Sequence, residues 1–129
     1  AGRTDAMTLA EAIGRADALR PNSFSYAQKL AWVSALDAAV TAELINTHDG
    51  GEWVGFKGYT EESAPQTELL IPAPYDEAYL RYLEAQMDYA NGEYDRFNNS
   101  NAMYAAAFGA FVNHYNRTHM PLGTKRKYY

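Results

Sequence analysis

Apolar residues recur every three or four positions over most of this 129-residue chain, which is the period of amphipathic helices. In the first such segment, Thr8 and Glu11 have the spacing of a capping box, which closes the N-terminal end of a helix. Pro21 disfavours a helical conformation at Arg20, so we expect the first helix to end there. The positions that follow at helical spacing between these limits are Leu9, Ile13, Ala16 and Leu19 or Arg20.

A second helical segment begins after Ser25 and Gln28, which repeat the capping-box spacing. Its core-facing positions are Leu30, Val33, Leu36, Val40 and Leu44. The helix is predicted to run to about Thr47, because Gly50 and Gly51 then supply a left-handed stop.

Residues 52–72 lose the helical period. Strand-forming side chains such as Trp53 and Phe56 are separated by glycines, and the apolar run at 69–71 is closed by Pro72. The polar residues 61–66 lie between these two parts, so the segment predicts a β-hairpin with a long tip. An isolated hairpin is marginally stable in water, and we expect this one to rest on helices or on a neighbouring subunit.

The third helix is predicted to begin at Asp76 and Glu77, whose charges suit a helix N-terminus. Its apolar stripe continues across Gly92, which predicts a glycine inside the helix at a cost of about 1 kcal/mol. The alternative is a helix that ends at Asn91. Polar residues 98–101 compete for backbone hydrogen bonds and are the expected break before a fourth helix. The stripes of the two helices are Leu80, Leu83, Met87, Ala90, Tyr94 and Phe97, then Tyr104, Phe108, Phe111 and Tyr115.

The predicted fold is mainly α: a single four-helix bundle-like domain, residues 1–129, with a β-hairpin inserted between helices 2 and 3. Residues 1–7 show no periodicity and are expected to form a loose N-terminal arm. Residues 120–129, after the fourth helix, are expected to form an extended tail.

Two helical faces carry more apolar surface than the fold itself requires. At about 100° per residue, the tyrosines of the third helix form a stripe beside its Leu/Met stripe. This stripe packs either under the hairpin or against another subunit, and the two can coexist. The fourth helix has a back of small residues, including Ala106 and Gly109, that would let another helix approach, although alanine is also simply the best helix former. The tyrosines of the stripe are Tyr75, Tyr79, Tyr82 and Tyr89.

Charge and composition exclude several classes of function. The chain has no cysteine, a net charge of -5 and eleven tyrosines. Without the three basic residues at 125–127 the charge is -8, from 8 basic against 16 acidic residues, which disfavours binding to DNA phosphates. No apolar stretch approaches the ~20 residues of a membrane helix. The exception to the acidic character is a basic-aromatic hook: Lys125, Arg126, Lys127, Tyr128 and Tyr129.

The sequence offers no catalytic or metal-binding motif. His114 and His119 are five residues apart and do not share a helix face, and His48 near a helix end suits a dipole partner better than a ligand. Nucleotide-binding glycine loops, nucleophile elbows and zinc motifs are not found. We therefore expect a protein without enzymatic activity, cofactor or metal.

Several motifs resemble small proteins encoded among the head genes of tailed phages and prophages of Gram-positive bacteria. The similarity spans roughly residues 7–121, including Leu9–Asn22, Trp32 and the end of the second helix at Thr47-His48, and the tail beyond Pro121 is not part of it. The motifs that carry it are Pro72-Ala73-Pro74-Tyr75-Asp76-Glu77 with Tyr79, Asn91-Gly92-Glu93-Tyr94, Arg96-Phe97-Asn98-Asn99-Ser100 and Tyr115-Asn116-Arg117-Thr118-His119-Met120-Pro121.

Proteins of this kind resemble head–tail connectors, or neck adaptors. The resemblance implies a virion structural protein, assembled in the host cytoplasm, that forms a ring of about twelve copies beneath the portal and contacts tail-side neck proteins. DNA would pass only as cargo through an acidic lumen, and no membrane is involved. The expected interface comprises the tyrosine stripe, Ala106, Gly109, Trp53 and Phe56, with the basic-aromatic hook docking on the portal or the next subunit. The alternative is a small intracellular helical module that binds another protein without forming a ring.

Overall fold

The computed structural model describes residues 6–43 and 58–118, which contain four helices and two short strands. In chain order these are β1 (Ala6–Thr8), α1 (Leu9–Leu19), α2 (Tyr26–Glu43), β2 (Glu68–Pro72), α3 (Glu77–Ala90) and α4 (Tyr94–Thr118). The prediction of a mainly helical fold with strand structure between the second and third helices is confirmed.

The first two helices begin where the capping residues predict. The Thr8 hydroxyl accepts a hydrogen bond from the Glu11 amide at 3.2 Å, and Oε1 of Glu11 accepts one from the Thr8 amide at 3.0 Å. The Ser25 hydroxyl likewise accepts from the Gln28 amide at 3.1 Å. These bonds satisfy amides that have no partner within the helix. The described part of α2 ends at Glu43, and the predicted extension to Thr47 lies outside the described residues.

β2 has a strand partner that the sequence did not predict. It pairs antiparallel with β1, with Ala6 opposite Pro72 and Thr8 opposite Glu68, and the predicted strand near Trp53 lies outside the described residues. Met7 is only 3% exposed, so residues 6 and 7 belong to the fold and not to a loose arm. The alternation of buried Leu69 and Ile71 shows which face of β2 meets the core, but such a pattern carries no information about the partner strand.

Gly92 ends α3 and does not lie inside a helix. Its φ is +74°, a left-handed conformation that glycine adopts without steric cost. The Gly92 amide donates to the Tyr89 carbonyl at 3.0 Å, and the Glu93 amide donates to the Asp88 carbonyl at 2.9 Å. This pair of bonds is a Schellman motif, so the prediction of a continuous helix is wrong and the alternative, with Asn91 as C-cap, is correct.

The polar run at 98–101 does not break α4. Its three asparagines point to solvent, and Ser100 is buried. Oγ of Ser100 lies 2.7 Å from Oδ2 of Asp88 and 2.9 Å from the carbonyl oxygen of Arg96. The serine therefore bonds to its own helix and to α3, so it does not compete with the backbone ladder as expected.

The hydrophobic core is built around α3. This helix packs against α1, α2 and α4, and α2 covers β2. Oδ1 of buried Asp88 lies 2.5 Å from a guanidinium nitrogen of Arg20, which ties the end of α1 to the α3–α4 pair. Within the described residues no helix is both long and apolar enough to cross a membrane. The largest fully buried apolar side chains are Leu9, Leu30, Val33, Val40, Ile71, Leu83 and Met87.

Candidate interaction surface

The tyrosine stripe of α3 divides into buried, half-buried and exposed members. Tyr79 is 0% exposed. Its hydroxyl donates to Oδ1 of Asp37 at 2.6 Å and accepts from the Ile71 amide at 2.7 Å. The prediction that Tyr79 contacts another subunit is wrong, because its ring lies in the core and its hydroxyl is occupied there. A carboxylate 42 positions earlier in the chain supplies the partner that makes burial favourable.

Asp37 is the centre of this buried network. Its carboxylate, also 0% exposed, accepts hydrogen bonds from the Tyr59 hydroxyl at 2.5 Å and from the Leu70 amide at 3.3 Å. Burial raises the pKa of Asp37, and the bonds from Tyr59, Tyr79 and Leu70 oppose this shift. Burial and the nearby Asp37 carboxylate raise the pKa of both tyrosines. The network links α2, β2 and α3 through hydrogen bonds to one buried carboxylate.

Tyr75 and Tyr82 are half-buried, and α4 covers them. The Tyr75 ring stacks on His114 with centroids 4.9 Å apart, and the Tyr82 ring packs against Tyr104 at 5.1 Å. Burial raises the pKa of Tyr82, and burial together with the charges of Tyr82 and Glu43 raises the pKa of Tyr104 to about 12. Much of the surface of these two tyrosines is thus used within the chain, against α4 and not against a hairpin.

An exposed aromatic group remains at the turn between α3 and α4. Tyr89 is 58% exposed and Tyr94 is 59% exposed, with ring centroids 5.6 Å apart. Phe97 lies 5.2 Å from Tyr89. We call these three residues the aromatic corner. Sequence reasoning identified Tyr89 but assigned Tyr94 and Phe97 to a core stripe, because it carried the helix through Gly92. The Asn91-Gly92 pair was the signal that could have placed them on the surface.

The outward side of α4 is unusually open. Of its 25 residues, only Ser100 and Phe111 are buried. Ala106, predicted as an interface residue, is exposed, and Gly109 is half-buried. Sequence reasoning did not single out Met103, which is 48% exposed on this helix. We call the exposed apolar residues Ala102, Met103, Ala106 and Ala110 the α4 outer face. Three of them, Met103, Ala106 and Ala110, also line the groove between α3 and α4, so the two surfaces are continuous.

A shallow groove of about 470 Å³ runs between the start of α3 and the middle of α4. Arg81 in the groove is held by Glu77 at 3.0 Å and by Glu84 at 2.9 Å. Burial raises the pKa of Asp76, which precedes α3, and the charges of Glu11 and Glu77 act in the same direction. The α3–α4 groove therefore has a mainly apolar lining, and the two charged side chains that line it, Glu77 and Arg81, are paired with each other. Its residues include Tyr75, Glu77 and Arg81 on one side and Met103, Ala106 and Ala110 on the other.

The described residues hold neither a candidate metal site nor a buried polar side-chain atom without a partner. Across residues 6–43 and 58–118, no group of three or more His, Asp or Glu side chains could hold a metal ion. Every buried side-chain nitrogen or oxygen in the same ranges has a hydrogen-bond partner. The remaining predicted interface residues lie outside the described part of the chain: Trp53, Phe56, Lys125, Arg126, Lys127, Tyr128 and Tyr129.

Comparison of the chain with protein-family models, with curated proteins and with solved structures gives no match. The case for a function therefore depends on the resemblance of its motifs and on the surfaces described above: the aromatic corner, the α4 outer face and the α3–α4 groove.

Proposed function

We propose that the chain is a viral structural protein, a head–tail connector whose copies form a ring beneath the portal of a tailed phage. The motif resemblance over residues 7–121 supplies the role. The geometry supports it through one observation in particular, which is the open outward side of the longest helix.

α4 has more exposed side than a helix in a self-sufficient domain needs. A helix of 25 residues extends about 37 Å, whereas the 14-residue α3 that it packs on extends about 21 Å. Two buried residues are few for such a length, and Met103 exposes apolar surface beside small alanines. Small residues allow close approach of another helix, so the α4 outer face suits a contact between subunits.

A ring of identical subunits needs two different surfaces on each copy, because the contact is heterologous. The aromatic corner is a second surface, at the turn end of the α3–α4 pair. Tyrosine is enriched in interfaces because its ring is apolar and its hydroxyl tolerates water. The α4 outer face and the aromatic corner both lie on the α3–α4 helical pair. We therefore expect each subunit of the ring to be rotated by the same angle relative to its neighbour.

The charge of the chain fits a passage for DNA. Residues 1–124 carry a net charge of -8, so a ring of about twelve copies would line its channel with negative potential. Phosphates would be repelled and DNA would pass without binding.

The test is the mass of the assembly. Native mass spectrometry and sedimentation at increasing protein concentration, with and without the portal protein of the same phage, should detect ring-sized species or a portal-bound ring. A chain that stays monomeric at millimolar concentration and never joins the portal would contradict the proposal. Capture of a single helical peptide by such a monomer would favour the alternative, a binding module that uses the α3–α4 groove.

A further inference from the structure

The turn between α3 and α4 contains the only Asn-Gly pair in the sequence, Asn91-Gly92, and both residues are exposed. Asparagine is a thermolabile residue, and a following glycine leaves its side-chain amide open to attack because glycine has no Cβ. We propose that Asn91 is a site of intramolecular deamidation and that the folded turn restrains the reaction until the turn opens locally. The inference concerns one chain and does not depend on ring formation.

The reaction needs only atoms of the turn and one water molecule. The Gly92 amide nitrogen attacks Cγ of Asn91 and closes a succinimide ring, while the bond from Cγ to Nδ2 breaks and Nδ2 leaves as ammonia with the Gly92 amide proton. Water then opens the ring. Cleavage at Cγ gives aspartate, whereas cleavage at the Asn91 carbonyl carbon gives isoaspartate, in which the backbone runs through the side chain. A surface cleft of about 400 Å³ beside Gly92 and Glu93 admits the water.

The folded turn holds the reacting atoms apart. Asn91 has a ψ of -1°, so the Gly92 nitrogen eclipses the backbone nitrogen of Asn91. The succinimide ring requires it to eclipse Cβ, so Asn91 must rotate about its Cα–C bond. That rotation breaks the 3.0 Å bond from the Gly92 amide to the Tyr89 carbonyl and the 2.9 Å bond from the Glu93 amide to the Asp88 carbonyl. The Schellman motif therefore restrains the chemistry as well as ending the helix.

Contacts between the two helices stabilise the closed turn. Oγ of Ser100 in α4 lies 2.7 Å from Oδ2 of Asp88 in α3, and the rings of Tyr89 and Tyr94 meet across the turn with centroids 5.6 Å apart. Because the closed turn does not react, the rate of deamidation follows the population of the open form. Weakening these contacts should therefore raise the rate.

The other asparagines in the described ranges are less suited to the reaction. The side-chain amide of Asn22 donates to Asp17 at 2.9 Å, and its oxygen accepts from the Phe24 amide at 3.1 Å. The others lie inside α4, where the next amide belongs to the helical hydrogen-bond ladder and the next residue carries a side chain. These are Asn98, Asn99, Asn101, Asn113 and Asn116.

Either product would alter the turn. Isoaspartate adds a methylene group to the backbone between positions 91 and 92, so the two Schellman bonds could not both form again. Each product also places a carboxylate at the C-terminal end of α3, whose last turn has no basic residue, and the helix dipole disfavours negative charge there. Since Tyr89 precedes this turn and Tyr94 and Phe97 follow it, we expect the rings of the aromatic corner to separate.

Peptide mapping by mass spectrometry tests the proposal on the full chain, incubated at physiological temperature in mildly alkaline buffer. Loss of ammonia and gain of water add one mass unit at the modified residue, and an isoaspartyl methyltransferase labels isoaspartate directly. We expect Asn91 to react before any other asparagine in residues 6–43 and 58–118. Its rate should be at least about tenfold higher when the chain is unfolded in urea. Asn91→Gln should remove the signal, because glutamine would have to close a larger ring.

Two variants distinguish local opening of the turn from global unfolding. Ser100→Ala removes the hydrogen bond to Asp88 and keeps the Asn-Gly pair intact, so the folded variant should react about fivefold faster. Tyr79→Phe is the matched control, since it removes a buried hydrogen bond between α2 and α3 away from the turn. It should react at the wild-type rate.

Three results would overturn the proposal. The first is earlier modification of another asparagine in the described ranges. The second is an equal rate at Asn91 in the folded and the unfolded chain, which would show that the turn gives no restraint. The third is equal acceleration by Ser100→Ala and Tyr79→Phe, or a folded chain that never reacts at Asn91, since neither is compatible with local opening.

Discussion

The Tyr79 hydroxyl and the Asp37 carboxylate form a 2.6 Å hydrogen bond between two residues that are both 0% exposed. The bond joins α2 to α3, and the Ile71 amide, which donates to the same hydroxyl, adds β2 to the connection. The sequence predicts Tyr79 as a residue of the contact between subunits, but its buried hydrogen bonds show that it stabilises the fold of one chain. Its neighbours on the same stripe, which lack such a partner, remain nearer the surface.

Tyr79→Phe should destabilise the protein by about 2 kcal/mol, because it removes a donor from a buried carboxylate and leaves the Ile71 amide without its acceptor. The free energy of unfolding from urea titration measures the effect. Tyr89→Phe is the matched control: this ring is 58% exposed, and the change should be within about 0.5 kcal/mol. Equal stability of the two variants would show that the bonds of the Tyr79 hydroxyl to Asp37 and Ile71 contribute nothing to folding.

The raised pKa of Asp37 predicts a pH dependence with a definite sign. Burial, the largest cause, favours the protonated carboxyl in the folded state relative to an unfolded pKa of about 3.9. The contribution of Asp37 to stability is therefore fully present below that value and is lost as the pH rises through the folded pKa. Asp37→Asn cannot titrate. The free energy of unfolding of the wild type minus that of Asp37→Asn should fall with increasing pH in this window, and a constant difference would contradict the assignment.

Two glycines should respond to alanine in opposite directions. Gly92 has φ +74°, so Gly92→Ala should cost about 1–2 kcal/mol, although an added Cβ would meet no atom within 4 Å. Gly109 lies within α4 and also has free space around it, so Gly109→Ala should stabilise the protein by about 0.5–1 kcal/mol. Thermal unfolding of both variants tests the pair. A neutral Gly92→Ala would argue for a continuous helix across the turn.

The sequence predicts helices better than it predicts what joins them. Residues that act within one turn, such as Thr8 and Glu11, placed the start of α1 correctly because capping is local. The pairing of β2 with β1 was missed, since strand partners separated by sixty residues leave no local signal. Gly92 was misplaced because the apolar stripe happens to keep its period across a Schellman turn.

The tyrosine stripe of α3 likewise shows that the sequence predicts local features but not tertiary contacts. Helical periodicity grouped four tyrosines on one side of α3, and it could not show which of them α4 would cover. Tyr79 and Tyr89 share that stripe, yet one is fully buried and the other is 58% exposed. Exposure depends on where the neighbouring helix lies, which is set by tertiary packing and not by spacing along one helix.

The exposed tyrosines provide the last prediction, on assembly. Tyr89→Ser with Tyr94→Ser removes most of the aromatic corner, whose two rings are more than half exposed, so the free energy of unfolding should change little. If the corner forms one side of the contact between subunits, the double variant should lose ring or portal association by at least about tenfold, as expected for central aromatic contacts. Tyr26→Ser, at a tyrosine 40% exposed on α2, is the control and should assemble normally. Sedimentation and portal co-purification compare the three proteins. Assembly that survives the double variant would move the contact away from the α3–α4 turn and leave the α4 outer face as the surface to test next.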